Sequence, residues 1–521
     1  MSASFPAPVP RGRPSNVLAS LERTRLGLGR LVAAAFAAVA PATVVFGGAT
    51  GGWAVTGVVQ MPLAYIAVAA VLAVFSVGYV AMSRQIVNAG AFYSYITAGL
   101  GRIPGVAAAM SALQAYTVMQ IGLAGGFGYG MHQTLLAFGH DVPWWLLSGV
   151  ACLVVAVLGL LRVGLSGTIL AVLLAAELVI VLVFAAVHLA HPAGGTVTVD
   201  ALSPLHLSLA GLAVAACVTI AGYVGFESAP AYSEEARDAR RTVPRATIIT
   251  LMVALVVYAI GSWAMAVAAG PDQVVGLAAT HFSELPFVLA QPYLGEVWLD
   301  AGHVLFCTSL FAAMLSFHNT AARYTFALGR ERVLPSWFER FNGAGAPVWG
   351  SLTQTVLATG SVVLFAVRGW DPFLVLFFAG TVLGGFGVLL LMTVTSVAVW
   401  RYFARLRPRR DNFGAWPTVI APILSAALLA AVTVLSVWHF DLLVGVSATS
   451  AWRYTLPGSF GVAAVLGVAR AVYLRTRRPS AYAGIGQGAP DLGDPVAAAS
   501  PDWPDRPVGA AGRAERQGRG R

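Results

Sequence analysis

The chain has 521 residues, of which 58% are hydrophobic and only 10% are charged, whereas a soluble domain carries about 25% charged residues. This composition excludes a string of water-soluble domains and predicts a polytopic membrane protein. The net charge is +10, but every basic residue is an arginine in a turn between apolar runs, so the charge predicts membrane topology and no nucleic-acid partner.

Apolar runs bounded by Arg, Pro or Gly predict about twelve membrane-spanning helices, enough to use most of the apolar residues. In chain order we place them at 31–49, 62–83, 104–137, 143–161, 164–190, 207–232, 246–269, 297–326, 349–367, 373–402, 416–438 and 455–475. The fold class is therefore an all-α membrane protein.

The arginines predict the orientation in the cytoplasmic membrane. With a cytoplasmic N-terminus, only Arg368 and Arg453 lie outside, and an even number of spans returns the C-terminus to the cytoplasm. Residues 1–30 and 477–521 are too poor in apolar side chains to fold, so we expect a disordered cytoplasmic head and tail around a transmembrane domain at 31–476.

No pattern indicates an enzyme, a metal or another cofactor. Cys152, Cys217 and Cys307 all lie in apolar segments and form neither a disulfide framework nor a CxxC site. Walker A, HExxH and GxSxG patterns are missing from the sequence, which argues against nucleotide-driven transport and against hydrolysis.

Two spans carry signals of an interrupted helix. Pro41 lies inside the first span, where it removes a backbone hydrogen bond, and a glycine-rich stretch follows at 47–52. Residues 222–230 of the sixth span hold two glycines and a proline. Interruptions at equivalent places in two five-span halves are typical of an inverted-repeat secondary transporter with its substrate site at the midplane.

Acidic side chains inside two spans are candidate proton carriers. Glu177 lies mid-span with apolar turns on either side, and Glu227 lies in the predicted break of the sixth span. A buried carboxylate is costly, so each residue either exchanges a proton during transport or is a neutral carboxyl group paired with a neighbour.

The third span offers candidate pocket residues. Tyr116 and Gln120 are four residues apart and share one helix face, so they either line a pocket or bond to another helix. In the eighth span, His318 and Asn319 are candidates for titration or for hydrogen bonds between helices.

Three groups of motifs lie along the first two thirds of the chain. The first group is 90–95 (Gly-Ala-Phe-Tyr-Ser-Tyr) with 99–102 (Gly-Leu-Gly-Arg). The second is 225–227 (Gly-Phe-Glu) with Glu234, Glu235 and 243–246 (Val-Pro-Arg-Ala). The third is Arg323 with 329–330 (Gly-Arg) and 334–335 (Leu-Pro). Together they resemble the amino acid–polyamine–organocation superfamily, the amino acid permeases. The resemblance implies the LeuT-type fold, with inverted repeats at 31–190 and 207–402 and accessory helices at 416–475.

The resemblance also implies substrate contacts in the first span. Ala42, Thr43 and Val44, after Pro41, resemble the family's Gly-Ser-Gly-Ile-type segment, whose backbone amides bind the substrate carboxylate. The glycines are absent here, which leaves Thr43 as a side-chain donor and makes an amine without a carboxylate a more plausible substrate.

In the sixth span, Ala221, Gly222 and Tyr223, followed by Gly225, resemble the stretch that binds the substrate amine through carbonyl groups. Tyr223 is the candidate aromatic gate, with an ordinary buried tyrosine as the alternative. Glu177 falls where many sodium-independent relatives carry a lysine, so the charge is reversed and the acid either takes up a proton or helps to hold a cation.

These features predict a proton-coupled secondary transporter for an amino acid or a related small organic amine. An antiporter for amines, amino acids or polyamines is the alternative. A sensor that binds without transport is a remote alternative, because the tail after Arg478 contains no signalling domain. The expected partners are the small-molecule substrate, H⁺ and the lipid bilayer, while the sequence does not indicate an oligomeric state.

Overall fold

The computed structural model describes residues 27–86, 90–161, 167–205, 207–343, 345–405 and 414–486. Twelve helices in this part of the chain are long and apolar enough to cross a membrane. Their bounds are Leu28–Thr56, Met61–Ser83, Arg102–Ala137, Trp144–Leu161, Ala171–Ala190, Leu209–Pro230, Ala239–Ala269, Glu296–Arg330, Val348–Arg368, Pro372–Arg405, Trp416–Trp438 and Trp452–Arg477.

The twelve predicted spans and the all-α membrane fold are confirmed, with shifted ends. One of the larger shifts is in the seventh span, which begins at Ala239 instead of 246. Its first turns contain Arg240 and Arg241, which are exposed. Because charged residues lower the hydropathy, the sequence pattern placed the start of this span after them. The predicted head up to residue 26 and the tail from residue 487 lie outside the described residues.

Burial separates a central group of spans from a peripheral group. In the most apolar window of each helix, 78% of the first span and 72% of the sixth are buried within the protein, against 17% of the twelfth. Apolar side chains of the peripheral spans face the surroundings, as expected where the solvent is lipid. The two spans with predicted interruptions are therefore in the centre of the bundle.

Short helices cover both ends of the bundle. We call the side where Leu28 and Arg477 lie the near side, and the opposite side the far side. Phe92–Leu100 lies on the near side between the second and third spans. Val274–His281 and Leu285–Ala290 lie on the far side between the seventh and eighth spans.

A further helix, Pro479–Gly484, follows the twelfth span and lies within the segment where we predicted a disordered tail. Tyr482 is 6% exposed and Ile485 is fully buried, so two apolar side chains anchor this helix to the near side. Composition averaged over the whole tail concealed this short apolar pattern.

Candidate functional site

The first span is interrupted at Ala40. The helix Leu28–Val39 ends there in a left-handed conformation with φ 45°, and a π-helix at Thr43–Gly48 continues the span. Pro41 explains the position of the break, since a proline cannot continue the hydrogen-bond ladder and its ring clashes with the preceding turn. The observed break coincides with the interruption that the sequence predicts.

The sixth span is interrupted at Val224 and Gly225. The α-helix Leu209–Tyr223 ends before them, and a 3₁₀-helix begins at Phe226. Gly225 has φ 118°, and a Cβ atom there would lie 2.6 Å from the Cβ of Ala38. Only glycine fits this position, because the two interrupted spans approach each other at this point.

Tyr258 of the seventh span connects the two interruptions. Its hydroxyl group lies 2.7 Å from the carbonyl oxygen of Val39 and 3.0 Å from that of Gly222. Both carbonyl groups lie close to a helix end, where backbone acceptors have no partner within the helix. One buried hydroxyl group, which has a single hydrogen to donate, is therefore shared between the two breaks and links them.

A narrow cavity of about 50 Å³ lies between the two interrupted spans. Thr43 and Val44 of the first span and Ala221 and Gly222 of the sixth contribute to its wall. A cavity needs about 10–15 Å³ to hold one water molecule, so this one has room for a few waters and is too small for an amino acid. The structure therefore represents a closed form of this site.

Aromatic side chains close the far side of the cavity. The ring of Phe46, one turn beyond the first break, lies 5.4 Å from those of Phe184 and Phe287. A Cβ atom at Gly47 would lie 3.1 Å from the ring of Phe377, which also lines the cavity. The first and tenth spans are therefore in close contact just beyond the cavity.

Glu177 of the fifth span reaches the break of the first span. It is 4% exposed, and its carboxyl group interacts with the Ser309 hydroxyl group of the eighth span and the backbone N–H of Ala42. The same Ser309 hydroxyl accepts a hydrogen bond from the backbone N–H of Thr43 at 3.3 Å. One carboxyl oxygen, Oε2, has no hydrogen-bond partner. The first, fifth and eighth spans therefore meet at this acidic group.

Glu227 lies just after the break of the sixth span and is 1% exposed. Its carboxyl group accepts hydrogen bonds from the Tyr116 hydroxyl at 3.2 Å and from the backbone N–H of Gly225 at 2.8 Å. The Tyr79 hydroxyl donates to the Glu227 carbonyl oxygen at 2.9 Å. These bonds tie the second, third and sixth spans together on the near side of the cavity.

Tyr116 and Gln120 lie beside the cavity and outside its wall in this closed form. The ring of Tyr116 stacks on Phe317, which does line the cavity. Gln120 Nε2 lies 3.1 Å from Nδ1 of His318, whose Nε2 lies 2.7 Å from the Ser351 hydroxyl. This buried chain joins the third, eighth and ninth spans, and the role of Tyr116 and Gln120 in substrate contact stays a prediction.

Tyr223 lies behind the cavity wall. Its side chain is fully buried and its hydroxyl donates to the carbonyl oxygen of Tyr65 at 3.0 Å. Its ring is 6.1 Å from that of Tyr65 and 5.1 Å from that of Tyr258. Tyr65 lines the cavity and is therefore nearer to it than Tyr223 in this form. The gate role of Tyr223 stays a prediction.

Tyr65, Tyr258 and Ser309 were not identified from the sequence. Each lies in a mainly apolar run, where a polar side chain is a signal of interhelical hydrogen bonding and does not indicate the partner. Within the described residues, His, Cys, Asp and Glu form no group of three or more that could hold a metal ion.

Comparison with known proteins identifies the class of this chain. A family model described as "Amino acid permease" matches residues 26–456, which include all motifs and both interruptions. The chain therefore belongs to the amino acid permease family, which confirms the resemblance to the amino acid–polyamine–organocation superfamily.

Individual relatives are distant. The chain is 24% identical over 319 residues to the branched-chain amino acid permease BcaP of Lactococcus lactis subsp. cremoris (strain MG1363), covering 56% of this chain and 66% of that protein. It is 24% identical over 209 residues to the low-affinity putrescine importer PlaP of Escherichia coli (strain K12), covering 37% and 40%. An uncharacterized transporter of Mycobacterium tuberculosis (strain ATCC 25618 / H37Rv) is 32% identical over 127 residues, covering 24% and 28%. The alignments thus span less than two thirds of these relatives.

Proposed function

We propose that this protein is a secondary active transporter that moves an amino acid or a related small organic amine across the cytoplasmic membrane by alternating access. The observation that carries the proposal is the closed cavity between two interrupted central spans. Interrupted helices offer unpaired backbone groups to a polar ligand at membrane depth, where such backbone is tolerated only around a cavity or within protein. Membership of the amino acid permease family supports the same function.

In the proposed cycle each part of the chain has its own role. Residues 31–190 and 207–402 form two inverted repeats, each beginning with an interrupted span, and 416–475 form accessory helices. Both termini are cytoplasmic, so the near side faces the cytoplasm. The aromatic side chains around Phe46 are the outer gate, and the bonds around Glu227 are the inner gate.

Glu177 couples substrate movement to protons. Its ionised carboxylate attracts the Ala42 N–H and the Ser309 O–H, and so holds the first span against the fifth and eighth. Protonation removes the negative charge and weakens these charge-assisted bonds, which are about twice as strong as neutral ones. Tyr258 is a titratable side chain close to Glu177 and also bonds to the first break. The first span is thus freed to move when Glu177 is protonated.

Uptake into proteoliposomes tests the proposal. Labelled amino acids and, separately, labelled amines are offered with an inward proton gradient, a sodium gradient or no gradient. Accumulation that follows the proton gradient supports the proposal, whereas accumulation that follows sodium contradicts the coupling. Uptake that occurs only when the vesicles are preloaded with substrate would show that the protein is an exchanger and not a symporter. No uptake of any compound would overturn the transport function.

A further inference from the structure

The wall of the central cavity consists mainly of apolar side chains. They come from the third, sixth, eighth and tenth spans and include Met119, Leu123, Val218, Ala313, Phe317 and Val382. Among the described residues that line this cavity, none is Asp, Glu, Arg or His. A ligand in this cavity therefore meets no countercharge from the wall itself.

The polar atoms of the wall fit a single ammonium group. Val39 and Gly222 both line the cavity, and their carbonyl oxygens share the Tyr258 hydroxyl as a donor. Oxygen acceptors of this kind and the faces of Tyr65 and Phe317 both attract a cation. The hydroxyl group of Thr43 is buried without a hydrogen-bond partner, so it is available to a ligand.

Backbone donors for an anion are already engaged in this closed form. The N–H of Thr43 donates to Ser309, and that of Val44 donates to the Ala40 carbonyl oxygen at 3.1 Å. A substrate carboxylate would bind only after these bonds rearrange, whereas a charged group on the substrate side chain would find no partner in the apolar wall. Burying an unpaired charge is strongly unfavourable.

Val44 limits the size of the ligand. A Cβ atom at Gly222 would lie 2.8 Å from the Cγ1 atom of Val44, so this β-branched side chain fills the gap between the two breaks. Leu123 and Val218 border the same cavity, so an aliphatic chain would meet apolar side chains there once the cavity widens.

We propose that the substrate carries one ammonium group and an uncharged aliphatic side chain, as in valine or leucine, and that polyamines and amino acids with charged side chains are excluded. This inference rests on the proposed function, since it takes the cavity as the transport site. The expected penalty for a second charge is about a hundredfold in apparent affinity, from insertion costs of charged groups in membranes.

Competition between compounds of matched size tests this inference. Uptake of labelled leucine into proteoliposomes is measured with excess unlabelled valine, aspartate, lysine, isoamylamine or putrescine; the last two compounds have the same number of heavy atoms. Valine is expected to inhibit strongly, and isoamylamine is expected to inhibit much more than putrescine. Inhibition by putrescine or lysine equal to that by valine would overturn the inference and leave the transport function intact. Failure of labelled leucine to enter would overturn the inference, and failure of every labelled amino acid and amine in the uptake assay described above would overturn the transport function as well.

A wall variant separates charge from shape. Leu123→Asp places an acid in the cavity wall and is expected to increase inhibition by putrescine about tenfold or more while weakening leucine uptake. Leu123→Asn has nearly the same shape without the charge and is expected to weaken leucine uptake only. Equal putrescine inhibition in the two variants would contradict the assignment of this wall as the specificity surface.

A second and independent observation concerns the chain after the twelfth span. Residues 478–486, here called the near-side strap, lie across the near end of the bundle. Arg102 Nη2 donates to the Ala483 carbonyl oxygen at 3.0 Å, and the Gly486 N–H donates to Glu331 Oε2 at 2.7 Å. Glu331 also accepts a hydrogen bond from the Tyr93 hydroxyl.

The strap bridges three elements that meet at the near end of the bundle. Arg102 begins the third span, Tyr93 lies in the helix Phe92–Leu100, and Glu331 directly follows the eighth span. We infer that the near-side strap is a latch that stabilises the closed near side and is released when this side opens.

Two truncations test the latch. Deleting 478–521 removes the strap, while deleting 487–521 leaves it in place and serves as the matched control. In both truncations, Ala313→Cys introduces a cysteine into the cavity wall, and its rate of labelling by a charged thiol reagent added on the near side measures access to the cavity. Tyr482→Ala in the full-length chain is a milder variant, measured in the same way. Faster labelling on loss of the strap or of Tyr482, but not in the control, is expected. Equal labelling rates in all variants, including full-length chain, would overturn the latch.

Discussion

The backbone N–H of Thr43 in the first span donates a hydrogen bond to the hydroxyl group of Ser309 in the eighth span, with an N–O distance of 3.3 Å. The carboxyl group of Glu177 interacts with the same hydroxyl and with the neighbouring Ala42 N–H. A single acidic side chain is thus in contact with the backbone of an interrupted helix. In the proposed mechanism, a change in the charge of Glu177 therefore acts directly on the first span.

Replacing Glu177 with Gln is expected to abolish proton-driven accumulation while substrate exchange continues. The amide keeps the shape and the hydrogen-bonding capacity but cannot exchange a proton. A gradient of one pH unit corresponds to about 1.4 kcal/mol, so one coupled proton supports up to about tenfold accumulation of substrate. The variant should lose this accumulation. Glu296→Gln, at the exposed far-side start of the eighth span, is the control and should accumulate like the unmodified protein. Undiminished accumulation by Glu177→Gln would remove this residue from coupling.

Ser309→Ala is expected to reduce both stability and coupling. The substitution leaves the Thr43 N–H without its acceptor, which costs about 1–3 kcal/mol for a buried group. The matched control is Ser316→Ala on the same span, because the Ser316 hydroxyl is buried without a hydrogen-bond partner. Thermal unfolding in detergent and proton-driven uptake should both fall for Ser309→Ala and stay near the original values for Ser316→Ala. Equal behaviour of the two variants would argue against the Ser309 contact.

Tyr258→Phe is expected to loosen the two breaks. It removes the hydroxyl group shared by the carbonyl oxygens of Val39 and Gly222 and leaves one or both unsatisfied, at a cost of about 1–3 kcal/mol. The measurements are the unfolding temperature and the apparent substrate affinity. Tyr473→Phe, on the half-exposed face of the twelfth span, is the control and should change neither. A Tyr258→Phe protein with unchanged affinity and stability would show that this hydroxyl is dispensable.

Glu227→Gln is expected to weaken closure of the near side. The carboxyl group accepts hydrogen bonds from Tyr116 and the backbone of Gly225, and a neutral amide accepts them less strongly. Transport should shift towards forms open to the near side, seen as faster thiol labelling of a cysteine at Ala313. Tyr116→Phe removes one of the same bonds and should shift labelling in the same direction. Opposite or absent shifts would place Glu227 outside the inner gate.

His318→Ala is expected to destabilise the protein without changing the proton dependence of uptake. His318 is fully buried between Gln120 and Ser351, so truncation leaves two polar groups unpaired and creates a cavity. Thermal unfolding reports the loss of stability, and the accumulation ratio at different pH gradients reports coupling. A changed dependence on the proton gradient in folded protein would instead make His318 part of the coupling machinery.

The sequence predicts much of the fold, because each span has a composition that only a membrane accepts. Pro41 and Gly225 are sufficient to indicate the two breaks, since each residue changes the backbone locally. Helix ends are less well predicted. The seventh span extends to Ala239 through exposed arginines, and Tyr482 anchors a helix in a segment of polar composition.

The site is less predictable, because its geometry depends on contacts between distant segments. Glu177 is conspicuous as an acid within a span, but nothing in its neighbourhood indicates that Ala42 and Ser309 are its partners. Gly225 was assigned to substrate binding by resemblance, whereas its close approach to Ala38 gives it a structural role in this form. Such pairings follow from how the spans pack, which a local pattern does not contain.

The central claim is that protons cross with the substrate through Glu177, and the internal pH of vesicles tests it most directly. Proteoliposomes loaded with a pH-sensitive dye receive substrate in the absence of an imposed gradient, with the membrane potential clamped. The account predicts that substrate entry acidifies the interior for the unmodified protein, and that Glu177→Gln carries substrate without acidification. Substrate entry without any pH change in the unmodified protein, or equal acidification by both proteins, would contradict it.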